Sequence, residues 1–207
     1  GGNLVAKAQP DGYTLMVMPN ELLAVTPLLY KQLPFSVEND FTPVAALANL
    51  PVVLTLNPRL AVKDVGELVA LAKQQPGKVS FGSAGAGTIH HLSLEMFNLM
   101  AGVQMLHVPY KGNGPALVDL MGGRLSMLFD GVPPMRSHIE GGKVRALAVT
   151  SEGRSSVLPQ VPTMAEGGLA GFNLSFWQGV FAPAGTPPAA IARLASSVQQ
   201  VMKKPEV

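Results

Sequence analysis

The sequence predicts an α/β protein in which mainly parallel sheets are covered by helices. Two observations lead to this fold class. Short apolar runs recur along the chain, and most are continuous rather than alternating, as expected for strands covered on both faces. Between residues 78 and 151 these runs alternate with helix-like segments, which is the order of a βαβ series with right-handed crossovers. The strand-like runs are residues 13–18, 51–56, 78–83, 103–110, 124–131, 144–151 and 174–183.

The helix-like segments carry local signals for their ends. Asp64 precedes Glu67 by three residues, which is the spacing of a capping box in front of an apolar-periodic segment. The segment TIHHLSLEMFNLMAG ends at Gly102, a residue suited to a helix C-terminus. The next helix is expected to begin near Pro115, and a last helix follows the prolines of TPPAAIARLASSVQQVMKK.

Two linker-like stretches predict a division into two lobes. The Pro-bearing residues 56–64 can carry the chain out of a first lobe, and residues 151–163 can carry it back. We therefore expect a first lobe made of residues 1–56 and 156–207, with a second lobe, residues 57–155, inserted into it. The chain opens on Gly1 without Met and stops in a helical pattern, so we expect it to be part of a longer polypeptide.

Composition excludes several function classes. The 207 residues are 47% hydrophobic and 14% charged, which indicates a well-buried globular protein. Lys and Arg are scattered and the net charge is +2, so nucleic acid is not an expected partner. Cysteine is absent, which excludes disulfides, thiolate–zinc sites and cysteine nucleophiles. No apolar run reaches the ~18 residues of a membrane span, and no cofactor or metal is indicated.

The segment VSFGSAGAGTIHHLSLEMF, residues 79–97, contains the strongest candidate motif. Its glycines have a spacing like that of a phosphate loop, but Thr88 follows Gly87 directly with no lysine between them, so the Walker pattern fails. A dinucleotide fingerprint also fails, because His90 stands where the last glycine is needed. Ser83 with His90 or His91 and Asp130 supplies the residue types of a serine hydrolase. However, Phe81 replaces the first glycine of the nucleophile elbow.

A metal site is a weaker reading of the same segment. His91 and Glu95 have the i, i+4 spacing of two helical ligands, but the sequence suggests no third ligand. We instead expect an amphipathic helix that buries a stripe and leaves His91 and Glu95 on a solvated face. The expected buried stripe is Ile89, Leu92, Met96 and Leu99.

The remaining reading is an anion site made of backbone amides. Small residues from Ser83 to Thr88 turn the chain from a strand into a helix, whose first amides lack intrahelical partners and suit a carboxylate. The alternative is a plain tight turn in which Ser83 or Thr88 caps the helix, and the pattern leaves both open. Tyr110 and Asp130 also end strands at this sheet edge. Asp130 can accept from a ligand or cap the next helix.

Six segments in register carry a resemblance to a known family. They are PDGYTLMVM, LYKQLPFSVENDFTPVAAL, GKVSFGSAGAGTIHHLSLEMF, HVPYKGNGPALVDLMGGRLSMLFD, GKVRALAVTS and LPQVPTMAEGGLAGFNLSFWQGVFAPAGTP. Together they resemble the Bug-type substrate-binding proteins of tripartite tricarboxylate transporters. The resemblance implies the type II periplasmic-binding-protein (Venus flytrap) fold, with two lobes that each hold a mainly parallel sheet flanked by helices.

The resemblance also implies a function and a set of site residues. The resemblance leads us to expect a non-enzymatic, periplasmic and monomeric receptor that binds a small carboxylate between its lobes. The carboxylate is a di- or tricarboxylate, an acidic amino acid or an aromatic acid, and it is delivered to membrane permease subunits. The matching ligand-binding positions are Asn20, Ser83, Ala84, Gly85, Ala86, Gly87, Thr88, His91, Tyr110 and Asp130.

Two points qualify these expectations. The family pattern includes a strand and a loop upstream of PDGYT, and we expect these, with the signal peptide, to lie outside the present sequence. Two other functions fit the residues as alternatives. One is a small Ser/His hydrolase, and the other is the ligand-sensing domain of a transcription regulator, which shares this architecture.

Overall fold

The computed structural model describes residues 1–204 and confirms the predicted α/β class. The helices are α1 (Gly2–Ala6), α2 (Asn20–Ala24), α3 (Thr26–Leu29), α4 (Val65–Gln74), α5 (Ile89–Ala101), α6 (Asn113–Gly122), α7 (Val132–Glu140) and α8 (Pro188–Val201). The strands are β1 (Met16–Pro19), β2 (Phe41–Leu56), β3 (Ser80–Ser83), β4 (Leu106–Pro109), β5 (Met127–Gly131), β6 (Arg145–Val149) and β7 (Ser175–Pro183).

The chain divides into two compact units. The first unit consists of Gly1–Asn49 together with the chain from Trp177 onward, and the second unit is the continuous segment Leu50–Phe176. The chain passes from one unit to the other within β2 and again within β7. The sequence predicts two lobes that close on a ligand, with boundaries at 56/57 and 155/156. These lobe boundaries stay a prediction.

The sheet of the second unit has the order β6–β2–β5–β3–β4. β3 pairs in parallel with β4 on one side and with β5 on the other. β2 pairs antiparallel with β5 and with β6, so β3 to β6 run in one direction and β2 runs in the opposite one. The βαβ series predicted for residues 78–151 is therefore confirmed.

Helices cover both faces of this sheet. Successive residues of β5 point to opposite faces, so Met127 and Phe129 belong to one apolar cluster and Leu128 to the other. The first cluster packs under α4 and α5, and the second packs under α6 and α7. Burial on both faces is the physical reason why the central strands are continuously apolar.

The first unit has a smaller core. β1 pairs antiparallel with β7, with Met18 opposite Gly179. The buried residues Val5, Met18, Phe41 and Phe181 form its apolar cluster.

The helix ends follow the sequence signals closely. Asp64 caps α4 by accepting a hydrogen bond from the Glu67 amide at 2.8 Å, and Glu67 Oε2 accepts from the Lys63 amide at 2.7 Å. α5 ends at Gly102, whose φ of 61° is a left-handed conformation that glycine adopts at low cost. α6 begins at Asn113, two residues earlier than the predicted Pro115.

α5 presents a different face to the core from the one predicted. The predicted stripe is wrong at Leu99, which is 82% exposed, whereas Leu94 and Phe97 are fully buried. Ser93 is also fully buried. Its burial is tolerated because its hydroxyl donates a hydrogen bond to the Ile89 carbonyl oxygen at 2.8 Å. A serine satisfied by its own helix can occupy a core position, and a hydrophobicity pattern does not reveal this.

None of the helices within residues 1–204 combines the length and the hydrophobicity that a membrane-spanning helix requires.

Gly82 of β3 gives a test of how tightly α6 packs on the sheet. A Cβ at this position would lie 2.6 Å from Leu125 Cδ1 and 3.3 Å from Ala116 Cβ. We expect Gly82→Ala to lower the free energy of unfolding by about 1–3 kcal/mol through overpacking, as measured by urea denaturation. The control is Gly153→Ala, which has open space around it and is expected to change stability by less than about 1 kcal/mol. Equal effects of the two substitutions would contradict the packing.

Candidate functional site

The candidate site lies at the edge of the second unit's sheet where the parallel strands end. β3, β4 and β5 end at Ser83, Pro109 and Gly131, and each is followed by the start of a helix, respectively α5, α6 and α7. The amides at the start of a helix lack intrahelical partners, and the positive end of the helix dipole faces the same way. This edge is where open α/β sheets bind ligands.

The turn between β3 and α5 is bonded mainly to itself. Ser83 Oγ accepts a hydrogen bond from the Gly85 amide at 3.1 Å, and Thr88 Oγ1 donates to the Gly85 carbonyl oxygen at 2.7 Å. The Gly87 amide donates to His91 Nδ1 at 3.2 Å. Neither Ser83 nor Thr88 caps α5 with its side chain. The plain-cap reading of these two hydroxyls is therefore wrong, because both are used inside the turn.

These bonds decide which amides are left for an anion. The amides of Gly85 and Gly87 already have acceptors. The amides of Ala84 and Ala86 have no hydrogen-bond partner among residues 1–204, and Ile89 and His90 form the first turn of α5, where intrahelical acceptors are lacking. The unpartnered amides of Ala84 and Ala86 therefore alternate with the amides of Gly85 and Gly87, whose hydrogen bonds hold the turn together.

A histidine that the sequence analysis did not select lies beside the turn. His107 on β4 places its Nε2 2.6 Å from Ser83 Oγ. Its ring stacks on that of His91 with a centroid distance of 4.4 Å, and His91 Nε2 lies 3.6 Å from Glu95 Oε1. The predicted solvated face is thus wrong for His91, which packs against β4. The parallel pairing of Phe81 with His107 brings this ring to the turn, and only the strand register could have indicated it.

Burial lowers the pKa of His107 below its ordinary value, and the neighbouring His91 lowers it further. Glu95 acts in the opposite direction but is the smallest of the three influences. The ring is therefore held in its uncharged form, in which one nitrogen can accept a hydrogen bond and the other donates one.

A cavity of about 230 Å³ opens at the same sheet edge. It is lined by residues of β2, the end of β5, the first turns of α5, α6 and α7, and β7. These are Leu50, Val52, Ile89, His90, Asn113, Asp130, Gly131, Pro134 and Phe176. Of the ten site residues predicted from the sequence, Asp130 is the one that lines this cavity.

Three polar side chains of the cavity wall interact with one another. Asn113 Nδ2 lies 2.7 Å from His90 Nε2, which is in turn 3.6 Å from Asp130 Oδ1. Asp130 Oδ1 also accepts a hydrogen bond from the Gly131 amide at 2.7 Å, at the start of α7. The sequence analysis named His90 only as a candidate of the hydrolase reading, and it did not select Asn113. In this amide orientation His90 Nδ1 and Asn113 Oδ1 are buried without a partner among residues 1–204.

Tyr110 uses its hydroxyl away from the turn. Its OH donates a hydrogen bond to Asp119 Oδ2 at 2.7 Å, and Asp119 also pairs with Arg124. Burial and this hydrogen bond raise the pKa of Tyr110 to about 12. The Tyr110 amide donates to the Ser83 carbonyl oxygen at 2.9 Å, so its backbone ties the end of β4 to the end of β3.

Asn20 lies in the first unit, at the start of α2, where its Oδ1 accepts a hydrogen bond from the Trp177 amide at 3.4 Å. The other predicted site residues all lie in the second unit.

The catalytic and metal constellations weighed as alternatives from the sequence do not form in the structure. Ser83 pairs with His107, whereas Asp130 faces His90, so the triad of Ser83, His90 or His91, and Asp130 is not formed. Ser83 is also fully buried, with its hydroxyl engaged inside the turn. Within residues 1–204, His, Asp and Glu side chains do not gather in a group of three that would suit a metal ion.

Comparison with known proteins assigns this architecture to a family. The family model described as the tripartite tricarboxylate transporter family receptor matches residues 1–207. The chain belongs to this family. The resemblance carried by the six sequence segments is therefore confirmed.

Two curated relatives match over the whole chain. The UPF0065 protein in the tcbD–tcbE intergenic region of Pseudomonas sp. strain P51 is 42% identical over 208 residues, covering 100% of this chain and 62% of that protein. Protein BugT of Bordetella pertussis is 38% identical over 208 residues, covering 100% of this chain and 64% of that protein. The chain thus spans less than two thirds of the length of these relatives.

Three solved structures superpose closely on this chain. Rpa4515 of R. palustris, solved with adipate, is 35% identical with a TM-score of 0.91, covering 99% of this chain and 69% of that one. MatC from Rhodopseudomonas palustris, solved with bound malate, is 32% identical with a TM-score of 0.88, covering 99% of this chain and 70% of that one. The structure of the periplasmic binding protein BugD is 34% identical with a TM-score of 0.85, covering 100% of this chain and 69% of that one, and it supports the predicted periplasmic-binding-protein fold.

The lowered pKa of His107 predicts a loss of stability in acid. Unfolding frees the ring to take up a proton at its ordinary pKa, so the contribution is complete above about pH 6.5 and is lost as pH falls through the lower folded pKa. We expect His107→Gln to reduce the decline in unfolding free energy below this pH. The measurement is urea denaturation across a pH series. An unchanged pH profile would contradict the assignment, and His138→Gln on α7 is the control.

The raised pKa of Tyr110 predicts a late tyrosine titration. We expect a tyrosine with a pKa of about 12 in spectrophotometric titration of the folded protein, and its loss in Tyr110→Phe. Asp119→Asn should lower this pKa, because it removes the charge that opposes tyrosinate formation. A titration in Asp119→Asn identical to that of the unmodified protein would contradict the contact. The neutral Tyr110 hydroxyl contributes fully to the free energy of unfolding below about pH 10, the ordinary pKa of tyrosine. This contribution is lost as the pH rises through the folded pKa of about 12.

Proposed function

We propose that this chain is the ligand-binding part of a periplasmic receptor that captures a small carboxylate for a tripartite tricarboxylate-type membrane transporter. The observation that carries the proposal is the cavity where three helices begin, in a chain that matches the receptor family along its length. The relatives solved with adipate and with malate support a carboxylate as the ligand. Periplasmic location, monomeric state and delivery to permease subunits belong to the same proposal.

The ligand carboxylate is assigned to the first amides of α5 and the turn before it. Ala84, Ala86, Ile89 and His90 supply donors there, and the positive end of a helix of 13 residues favours an anion. No Lys or Arg lies between Lys78 and Lys111 in the sequence, so the anion is held by neutral donors.

The other predicted site residues take supporting roles in this proposal. Ser83, Thr88 and His91 fix the conformation of the turn through their hydrogen bonds with Gly85 and Gly87. Tyr110 holds the end of β4 in place, and Asp130 borders the cavity. Asn20, in the first unit, stays a prediction from the family resemblance.

The receptor is favoured over the two alternatives weighed from the sequence. A hydrolase needs a reachable nucleophile, and Ser83 is buried with its hydroxyl bonded inside the turn. A transcription regulator's sensing domain shares the architecture, but the family that matches is a transporter receptor.

The proposal predicts carboxylate binding by the purified full-length protein, measured by isothermal titration calorimetry. An aspartate at Ala86, an exposed turn position, places a second anion beside the ligand carboxylate. We expect Ala86→Asp to weaken binding at least about tenfold, which corresponds to about 1.4 kcal/mol. The matched control is Ala86→Asn, which has nearly the same shape without the charge and should retain binding.

Two outcomes would contradict the proposal. The first is the absence of heat with malate, adipate, benzoate, hexanoate and glutamate. The second is equal affinity in Ala86→Asp and Ala86→Asn, which would place the carboxylate away from this turn.

A further inference from the structure

We infer that the cavity of the second unit selects an uncharged, apolar part of the ligand, so that the receptor prefers monocarboxylates with an aromatic or alkyl body over dicarboxylates. This inference rests on the proposed function, because it concerns the ligand of the same site. It distinguishes among the di- or tricarboxylates, acidic amino acids and aromatic acids that the family resemblance implies as ligands.

The walls of the cavity are mainly hydrocarbon. Leu50, Val52 and Ile89 contribute aliphatic side chains, and Pro134 and Phe176 contribute two rings. Val52 and Ile89 are buried, so these two side chains belong to the packed core and are not flexible surface groups. A charged group placed against such walls loses its hydration without gaining a partner, whereas an alkyl or aryl group gains by leaving water.

The charge at the cavity is negative rather than positive. The lining includes Asp130 and contains neither Lys nor Arg. The side chain of Asp130 is 13% exposed, and its Oδ1 already accepts from the Gly131 amide at the start of α7. An anion is thus built into this helix start, and a ligand carboxylate arriving there would meet a like charge in a poorly hydrated place.

The hydrogen-bonding groups of the wall also disfavour a second carboxylate. Asn113 directs its Nδ2 at His90 and leaves its Oδ1 uncommitted, which is an acceptor. Asp130 is an acceptor as well. A carboxylate offers only acceptors and cannot satisfy Asn113 Oδ1 or Asp130. The single donor beside these acceptors is His90 Nδ1, which carries the ring proton when Nε2 accepts from Asn113.

The two ends of the site therefore suit different chemistry. The start of α5 has free amides for one carboxylate, and the neighbouring cavity holds a volume of about 230 Å³ bordered by an anion and hydrocarbon. This volume lies below the range of about 300–1,000 Å³ typical of drug-sized ligands, so it fits a short chain or a single ring.

The test compares acids of matched skeleton with the full-length protein by isothermal titration calorimetry. Hexanoate is compared with adipate, and benzoate with terephthalate, because each pair differs by one carboxylate. We expect the monocarboxylate of at least one pair to bind at least tenfold more tightly than its partner. Tighter or equal binding of both dicarboxylates overturns the inference but leaves the proposed function intact. Absence of binding by all four acids overturns the inference together with the proposed function.

Two variants locate the selectivity in the cavity. Asp130→Asn keeps the shape and an oxygen for the Gly131 amide, and it should reduce the preference for monocarboxylates at least threefold. Pro134→Lys adds a cation at an exposed position of the rim, and it should raise the affinity for dicarboxylates relative to monocarboxylates more than Asp130→Asn does. Glu140→Gln, on the same helix but paired with Arg136 at the surface, is the control and should leave the preference unchanged. A preference that is the same in all three variants overturns the inference.

Discussion

β3 is hydrogen-bonded in parallel to β4 on one side and to β5 on the other, and the site depends on this double pairing. Parallel strands end at the same edge, so the pairing brings the starts of α5, α6 and α7 together. The ladder continues past the strands, because the Tyr110 amide reaches the Ser83 carbonyl oxygen. At Gly82 the strand has no side chain, which lets Leu125 and Ala116 approach it closely. A shift of β3 by one residue would move Ser83 away from His107 and would turn Phe81 towards the opposite face of the sheet.

Much of the second unit's fold was predictable, because its signals are local or periodic. The capping box at Asp64 and the left-handed Gly102 were both found where the sequence placed them. The first unit was less predictable. Helices α1, α2 and α3 are short, from four to five residues, and such short elements carry little periodicity. β2 extends back to Phe41, although only residues 51–56 read as a continuous apolar run.

The backbone turn of the candidate site could be predicted from the sequence. The side-chain contacts could not, because they depend on how the strands and helices are paired. The small residues between Ser83 and Thr88 indicated a close backbone turn without further information. His107 could not be chosen, because a histidine in the middle of a strand pattern has no local meaning until its neighbour on β3 is known. The pairing of His90 with Asn113 depends in the same way on how α5 and α6 meet. Tyr110 was correctly placed at the sheet edge, but the direction of its hydroxyl follows from Asp119 on the next helix.

The self-bonded turn has a consequence for the thermodynamics of recognition. Ser83, Thr88 and His91 fix the backbone of the turn before any ligand arrives, so the conformational entropy of ordering it is lost during folding. A preorganised anion site loses little further entropy on association, which favours affinity with few direct contacts. Side chains that never touch the ligand can therefore control how tightly it is held, because they determine how much of the binding free energy is spent on arranging the receptor.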